Sequence, residues 1–390
     1  MAPELPHLLH AGFDSLDVSF QGALPKETLE DLMELKEIAV KEQDHQPATI
    51  GTVKGQLLKS GQQGGYAFVF NTGPLGGLWT FKNNTDHREW NVGFSSHASA
   101  LAAYGYHGTK DRIYQTLADM NCTALRESIR RIDFATDFLM PEHFQAHIEQ
   151  VACHSHTKVA PYWGEVENPD QDPNKPTVVT RGRKIESITI GKMPGRQAII
   201  YNKRKAAIEQ GKTFWFKVWD IDPTDTTKKV WRVELRAGKR ELKDKWQLTT
   251  FQDIEDCIGD VFAEATDQIR YLDDHQTDQN VSRQTLHPLW QAVLKAHEEN
   301  LCDYRAGITP NQLKEIIKER QIEIHLQQIV GNAASIAALE ELTDTEIRED
   351  FVIQIGQTLQ NKIDGPVGSF WESRSRAERR SYFRTVENDR

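Results

Sequence analysis

The sequence predicts an α+β fold: an antiparallel sheet first, then a mainly helical region. Three observations carry this. Short strand-like runs punctuated by glycine fill the first part of the chain, runs with helical spacing interrupt them, and strand signals nearly vanish after Leu248. A boundary near residue 250 is expected, with an α+β part over 1–250 and a helical region over 251–390.

Residues 11–21 (AGFDSLDVSFQ) alternate apolar and polar side chains and read as a strand, whereas 27–44 carries apolar residues at helical spacing. GYAFVFNTG, GLWTFKNN and REWNVGFSS read as strands of an antiparallel meander, and 109–122 returns to a helical period. SIRRIDFATDFLM (128–140) is a strand. Pro141 then opens an expected helix to about Val151, since proline suits the first helical turn. The stretch 161–178, rich in Pro, Asp and Asn, reads as a loop. Strands are expected over 186–191, 196–203, 214–221 and 229–237, with a short helix between Lys203 and Lys212. Helical runs follow from Phe251, near 285–300, and over 309–330 and 335–361. The Arg-rich end, 370–390, reads as a loosely ordered tail.

The chain of 390 residues has a formal net charge of −10, yet the charge is unevenly placed. Between Arg181 and Lys217 ten Lys/Arg face two acids, and between Phe251 and Asn300 eleven acids face three Lys/Arg. A basic face on an acidic body suits a nucleic-acid partner, and a difference between solvated faces suits the same count. No run of 18 or more apolar residues appears, so no membrane partner is expected. Four scattered cysteines argue against a disulfide framework and fit a cytoplasmic location.

Three strand-borne pieces carry the chemistry. On RRIDFATDF, alternation puts Arg131, Asp133, Ala135 and Asp137 on one face. Paired carboxylates there suit a divalent cation, because hard cations prefer oxygen ligands. On VWRVELRA, Arg232, Glu234 and Arg236 share a face, as an ion-pair ladder or as a metal ligand within a phosphate-binding surface. On AIIYNKRKAAIEQGK, Tyr201 ends an apolar strand, with Lys203, Arg204 and Lys205 after it. A phenol near pKa 10 is a weak nucleophile until activated, and a cation plus nearby Lys/Arg would do that at a phosphodiester. Aromatics interleaved with basic residues in TFWFKVWD and KKVWRVELR could stack on unpaired bases or form sheet core. HFQAH (143–147) and HSH (154–156) read as surface histidines rather than metal sites.

In that order, RIDFATDF, ITIG, IIYNKRKAAIEQGK and WRVELR resemble the replication initiation factor family, comprising rolling-circle initiators of plasmids and phages and related relaxases. FDSLDVSF and the stretch from GGYAFVFNTG to WNVGFSS also resemble its N-terminal half, so the resemblance spans roughly residues 11–250. It implies a curved antiparallel sheet with helices on one face. It implies a metal-dependent site-specific DNA endonuclease and transesterase in which Tyr201 forms a 5′-phosphotyrosyl link, assisted by Lys203. Asp133 and Glu234, with Asp137 behind them, would hold Mg²⁺ or Mn²⁺. Arg131, Arg196, Arg204, Lys205, Arg232 and Arg236 would contact DNA. The expected partners are double-stranded origin DNA and single-stranded DNA, with a host helicase and a second copy of the chain as further candidates. The alternative is a non-catalytic DNA-binding regulator of plasmid replication on the same scaffold.

Overall fold

The structure, a computed structural model, describes residues 4–153, 177–181, 184–273, 283–302, 310–365 and 370–374. The chain divides into two compact units, Met1–Ala306 and Gly307–Arg390. The change of texture near residue 250 thus falls inside the first unit.

That unit is built on an eleven-stranded sheet of β1 (His7–Ala23), β2 (Gln46–Ile50), β3 (Val53–Leu57), β4 (Phe68–Asn71), β5 (Gly77–Phe81), β6 (Val92–Ser96), β7 (Thr123–Met140), β9 (Thr177–Arg181), β10 (Lys184–Gly191), β11 (Arg196–Asn202) and β12 (Lys229–Gly238). Their spatial order is β2-β3-β4-β5-β6-β1-β7-β12-β11-β10-β9, so the sheet is open, with β2 and β9 at its edges. Every pairing in it is antiparallel. The expected meander is β4-β5-β6. A two-stranded sheet pairs β8 (Val151–Cys153) with β13 (Ile269–Tyr271).

The long central strands β1 and β7 pair along their lengths, and their register shifts between Phe13 and Ser15. Phe13 stands opposite Phe134 and Ser15 opposite Asp133, which leaves Asp14 as the extra residue of a bulge. The bulge lets Phe13 and Leu16, three residues apart, both face the apolar side.

The helices of this unit are α1 (Lys26–Glu42), α2 (Ala98–Asp119), α3 (Lys203–Glu209), α4 (Phe214–Val218), α5 (Phe251–Gln268) and α6 (Pro288–Leu301). Thr250 caps α5 in a reciprocal pair with Asp253. The apolar face of the sheet, with Ile132, Phe134, Val233 and Leu235 all buried, packs against α2, α5 and α6. The Phe134 ring meets Phe262 of α5 at 6.2 Å and His297 of α6 at 5.2 Å, and Phe13 meets Tyr106 of α2 at 5.1 Å. The opposite face carries the charged residues of β7 and β12. There α4 places Trp215 and Trp219 over the end of the sheet.

Three expectations are corrected. The stretch 214–221 begins as helix α4, not as a strand: Trp215, Phe216 and Trp219 are the buried side chains, and spacings of one and four fit a helical turn rather than alternation. The helix expected over 141–151 is a turn leading to a short 3₁₀ segment, Ile148–Gln150. Phe144 is drawn onto Trp231 at 5.2 Å, and the His147 amide donates to the Tyr271 hydroxyl at 2.9 Å, so His143 and His147 do not form a helical pair. Thr177 and Val178, expected to end a loop, instead begin the edge strand β9. The rest of that loop, the HSH triplet and residues 375–390 lie outside the described residues.

In the second unit, α7 (Pro310–Leu339) is followed by α8 (Asp344–Glu346), the helical turn Ile347–Phe351 and α9 (Val352–Asp364). Thr343 caps α8 reciprocally with Glu346. No helix among the described residues is long and apolar enough to cross a membrane.

Candidate functional site

Register brings the sequence-predicted residues together. Tyr201 on β11 stands opposite Arg232 on β12, and Gln197 opposite Arg236. Arg236 in turn stands opposite Asp133 on β7, and Arg232 opposite Asp137. Directly opposed residues share a face, so Tyr201, Arg232, Glu234, Arg236, Asp133 and Asp137 project from the same side of the sheet. The Tyr201 hydroxyl donates to Glu234 Oε2 at 3.0 Å and accepts from Lys203 Nζ at 3.3 Å. Lys203 reaches it because β11 gives way there to α3, whose start is capped by Asn202 accepting from the Lys205 amide. Arg236 Nε lies 2.6 Å from Glu234 Oε1 and 3.6 Å from Asp133 Oδ2, tying the two acids together. Arg131 Nε donates to Asp133 Oδ1 at 2.9 Å. The half-buried Tyr201 ring lines a cavity of about 830 Å³, with Lys203, Asp133, Glu234, Arg131 and Arg236.

Burial governs the electrostatics. It pushes the Tyr201 phenol well above its usual 10, against a partial pull from Arg232. It lowers the Lys203 ammonium to about 8, with Arg232 pushing the same way. It raises Asp133, which is 0% exposed, to about 7, although Arg131 and Arg236 oppose the rise. Of the carboxylates lining the cavity, Asp133 and Glu234 suit Mg²⁺ or Mn²⁺ by donor type, because such ions commonly take one or two carboxylates and complete their shell with water and substrate phosphate. Among the described residues no group of three His, Cys, Asp or Glu gathers for a metal, so a protein-only cage is not what the site offers.

A stability prediction follows from Asp133. Its folded pKa of about 7 lies above the ordinary 3.8, so its contribution to stability is fully present below about 4 and is lost as pH rises through 7. In EDTA, Asp133→Asn should therefore unfold at equal or higher urea than the parent at pH 8, and show little difference at pH 5. A midpoint lower at pH 8 than at pH 5 relative to the parent would contradict this.

No protein-family model matches the chain, and no curated protein matches it. One solved structure similar to it is a rolling circle replication initiator protein from Geobacillus stearothermophilus. The two share 15% identity and a TM-score of 0.39, over 74% of this chain and 96% of that one.

The structure separates the remaining predicted residues. Asp137 is fully buried and does not line the cavity: Arg232 donates to both its oxygens and Trp219 Nε1 donates to Oδ2 at 2.8 Å. Arg232 is 0% exposed, bound to Asp137 and at 2.6 Å to Asp14, so it is a buried structural cation and not a DNA contact. Arg196 alternates onto the other face, where it reaches Gln268 of α5. Arg204 donates to the backbone oxygens of Pro223 and Asp225, away from the cavity. Lys205 lines the cavity but is paired with Glu186. Among the aromatics, Phe216, Trp219 and Trp231 are core.

Two residues escaped the sequence reading. Asp14 reaches Arg232 because of the β1 bulge, and Arg232 holds its carboxyl at about 2 although burial pushes the other way. The available signal was an acid in phase with Leu16, Val18 and Phe20, where alternation calls for an apolar side chain. Trp215 lies under both Lys203, 4.9 Å from its ring centroid, and Arg232, at 4.3 Å. Reading 214–221 as a strand hid it.

Proposed function

We propose that this chain cleaves and rejoins one DNA strand through Tyr201, initiating rolling-circle replication or transfer of a plasmid, phage or mobile element. The observation that carries the reading is the Tyr201 hydroxyl held between Glu234 and Lys203 on the wall of a large cavity. The ordered motifs of the sequence support the same reading.

In this mechanism Tyr201 Oη attacks the scissile phosphorus. Its proton passes to Glu234 Oε2, which already accepts that hydrogen bond. The bond from phosphorus to the 3′ oxygen breaks, and that oxygen leaves as a hydroxyl after taking a proton from water. The 5′ phosphate stays on the tyrosine, and attack by a 3′-hydroxyl reverses the exchange without a nucleotide cofactor. Lys203 stabilises the negative charge on Oη as the proton leaves, and Arg131 and Arg236 line the cavity where phosphate charge develops. A Mg²⁺ or Mn²⁺ ion, when bound by Asp133 and Glu234, would supply Lewis-acid polarisation of the phosphate.

The test is incubation with Mn²⁺ and single-stranded oligonucleotides tiling the DNA that encodes the protein, then denaturation and mass mapping. The expected product is a 5′-phosphate adduct on Tyr201 together with a free 3′-hydroxyl fragment. Cleavage without an adduct, or an adduct on another residue, would overturn the proposal.

A further inference from the structure

The cavity of about 830 Å³ has room for more than the phosphodiester at Tyr201. Beyond the reacting groups, its lining includes Lys212, on the turn from α3 into α4, Phe214, the first residue of α4, and Ser96 and Ser99 beside the start of α2. Two observations single out Lys212 and Phe214. The first concerns charge. Among the cations that line the cavity, Lys205 is paired with Glu186, Arg131 with Asp133 and Arg236 with Glu234, and Arg181 lies 3.9 Å from Glu209. Lys203 is turned to the Tyr201 hydroxyl. Lys212 is exposed and makes no ion pair among the described residues.

The second concerns the aromatic cluster. Trp215, Phe216 and Trp219 are buried, but Phe214 is only half-buried and lines the cavity. Its ring is backed by Trp215 with centroids 4.9 Å apart and planes 33° apart. Trp215 is itself fixed by His10 at 5.1 Å and by the Arg232 guanidinium. A ring held in place by a buried indole is a ready platform, since little side-chain freedom is lost when a second flat group stacks on it. A flat apolar surface two residues from an unpaired cation is the chemistry that recognises an unpaired nucleotide, its base on the ring and its phosphate on the ammonium.

We infer that Phe214 and Lys212 form a subsite for one unpaired nucleotide, holding its base and phosphate beside the phosphodiester that Tyr201 attacks. The subsite rests on the reading of Tyr201 as the nucleophile, and it deepens that reading by naming what holds the strand. Stacking takes any base, so the subsite supplies grip and alignment rather than sequence choice.

The test is binding of a fluorescent oligothymidylate, and of an abasic deoxyribose-phosphate oligomer of equal length, to the full chain across a salt series. Phe214→Ala and Phe214→Leu should each weaken oligothymidylate binding about 10-fold or more and leave the abasic oligomer within about twofold. Phe214→Leu fills most of the same volume, so it should retain the parent's thermal unfolding while losing the stack, and Phe214→Trp should bind as the parent does. Lys212→Met should weaken both oligomers and reduce the slope of log affinity against log salt by about 0.7, one phosphate contact on a single strand. Unchanged oligothymidylate affinity in Phe214→Leu, or an equal loss for the abasic oligomer, would overturn the subsite. The two proposals fail separately: a Tyr201 adduct alongside unchanged Phe214→Leu affinity removes only the subsite, and base-dependent loss in Phe214→Leu without any adduct removes only the cleavage reading.

Discussion

Tyr201→Phe is expected to abolish strand cleavage, a loss of at least about 10⁴-fold, while single-stranded oligonucleotide affinity changes by less than about threefold. The ring still lines the cavity and β11 still pairs with β10 and β12, so only the hydroxyl and its two hydrogen bonds disappear. Glu234 Oε2 and Lys203 Nζ lose a partner beside an open cavity where water can replace it, so the stability change should stay near 1 kcal/mol. The measurement pairs single-turnover cleavage of the adduct-forming oligonucleotide with fluorescence anisotropy at one salt concentration. Lys203→Met should sit between the two, with cleavage slowed about 10²–10³-fold, because it removes charge stabilisation and leaves the nucleophile. A non-catalytic DNA-binding protein on the same scaffold would show no cleavage in the parent and equal binding in both. Cleavage at the parent rate by Tyr201→Phe would end the tyrosine mechanism.

Much of this site was legible because a strand's period of two is strict. Once RIDFATDF and VWRVELRA are read as strands, Asp133 and Asp137 share one face of the first and Arg232, Glu234 and Arg236 share one face of the second, and the register puts both sets on the same side of the sheet. Tyr201 joins them because Ile199 and Tyr201 continue the same alternation one strand further. What alternation cannot give is depth along the strand. Asp133 and Asp137 are equivalent by phase, yet Asp137 lies toward the end covered by Trp219 and becomes the buried partner of Arg232, while Asp133 lines the cavity. The same blindness put Arg232 and Arg236 in one class. Asp14 was hidden by a bulge, whose one-residue slip reverses the facing of everything on one side of it. Short α4 was hidden because four aromatics in six residues satisfy a strand pattern as readily as a helical one, and only tertiary burial of Trp215, Phe216 and Trp219 decides between them.

The buried pair behind the site sets the largest stability effect. Arg232→Met should destabilise the first unit by about 3–5 kcal/mol at pH 7, because it leaves Asp137 in the interior and Asp14 on the cavity wall without their shared cation. The pH dependence identifies the cause. In the parent, Arg232 holds Asp14 at about 2, below the ordinary 3.8, so the stability it contributes is present above about 3.8 and is lost as pH falls through 2. In Arg232→Met burial, the largest influence on that carboxyl, is opposed only by Lys203 and Lys212, so its folded pKa rises. The contribution shrinks as that pKa rises, and once the pKa passes 3.8 it runs the other way, fully present below about 3.8 and lost as pH rises. The deficit of the variant against the parent should accordingly be largest near pH 7 and shrink toward pH 4. Adding Asp137→Asn to Arg232→Met should recover part of the loss at pH 7, since a neutral amide replaces one stranded charge, and it should recover little at pH 4. Urea unfolding at both values, followed by the tryptophan fluorescence that Trp215 and Trp219 report from beside this pair, checks the whole set. A deficit equal at the two pH values would mean that Arg232 acts by filling space rather than by charge.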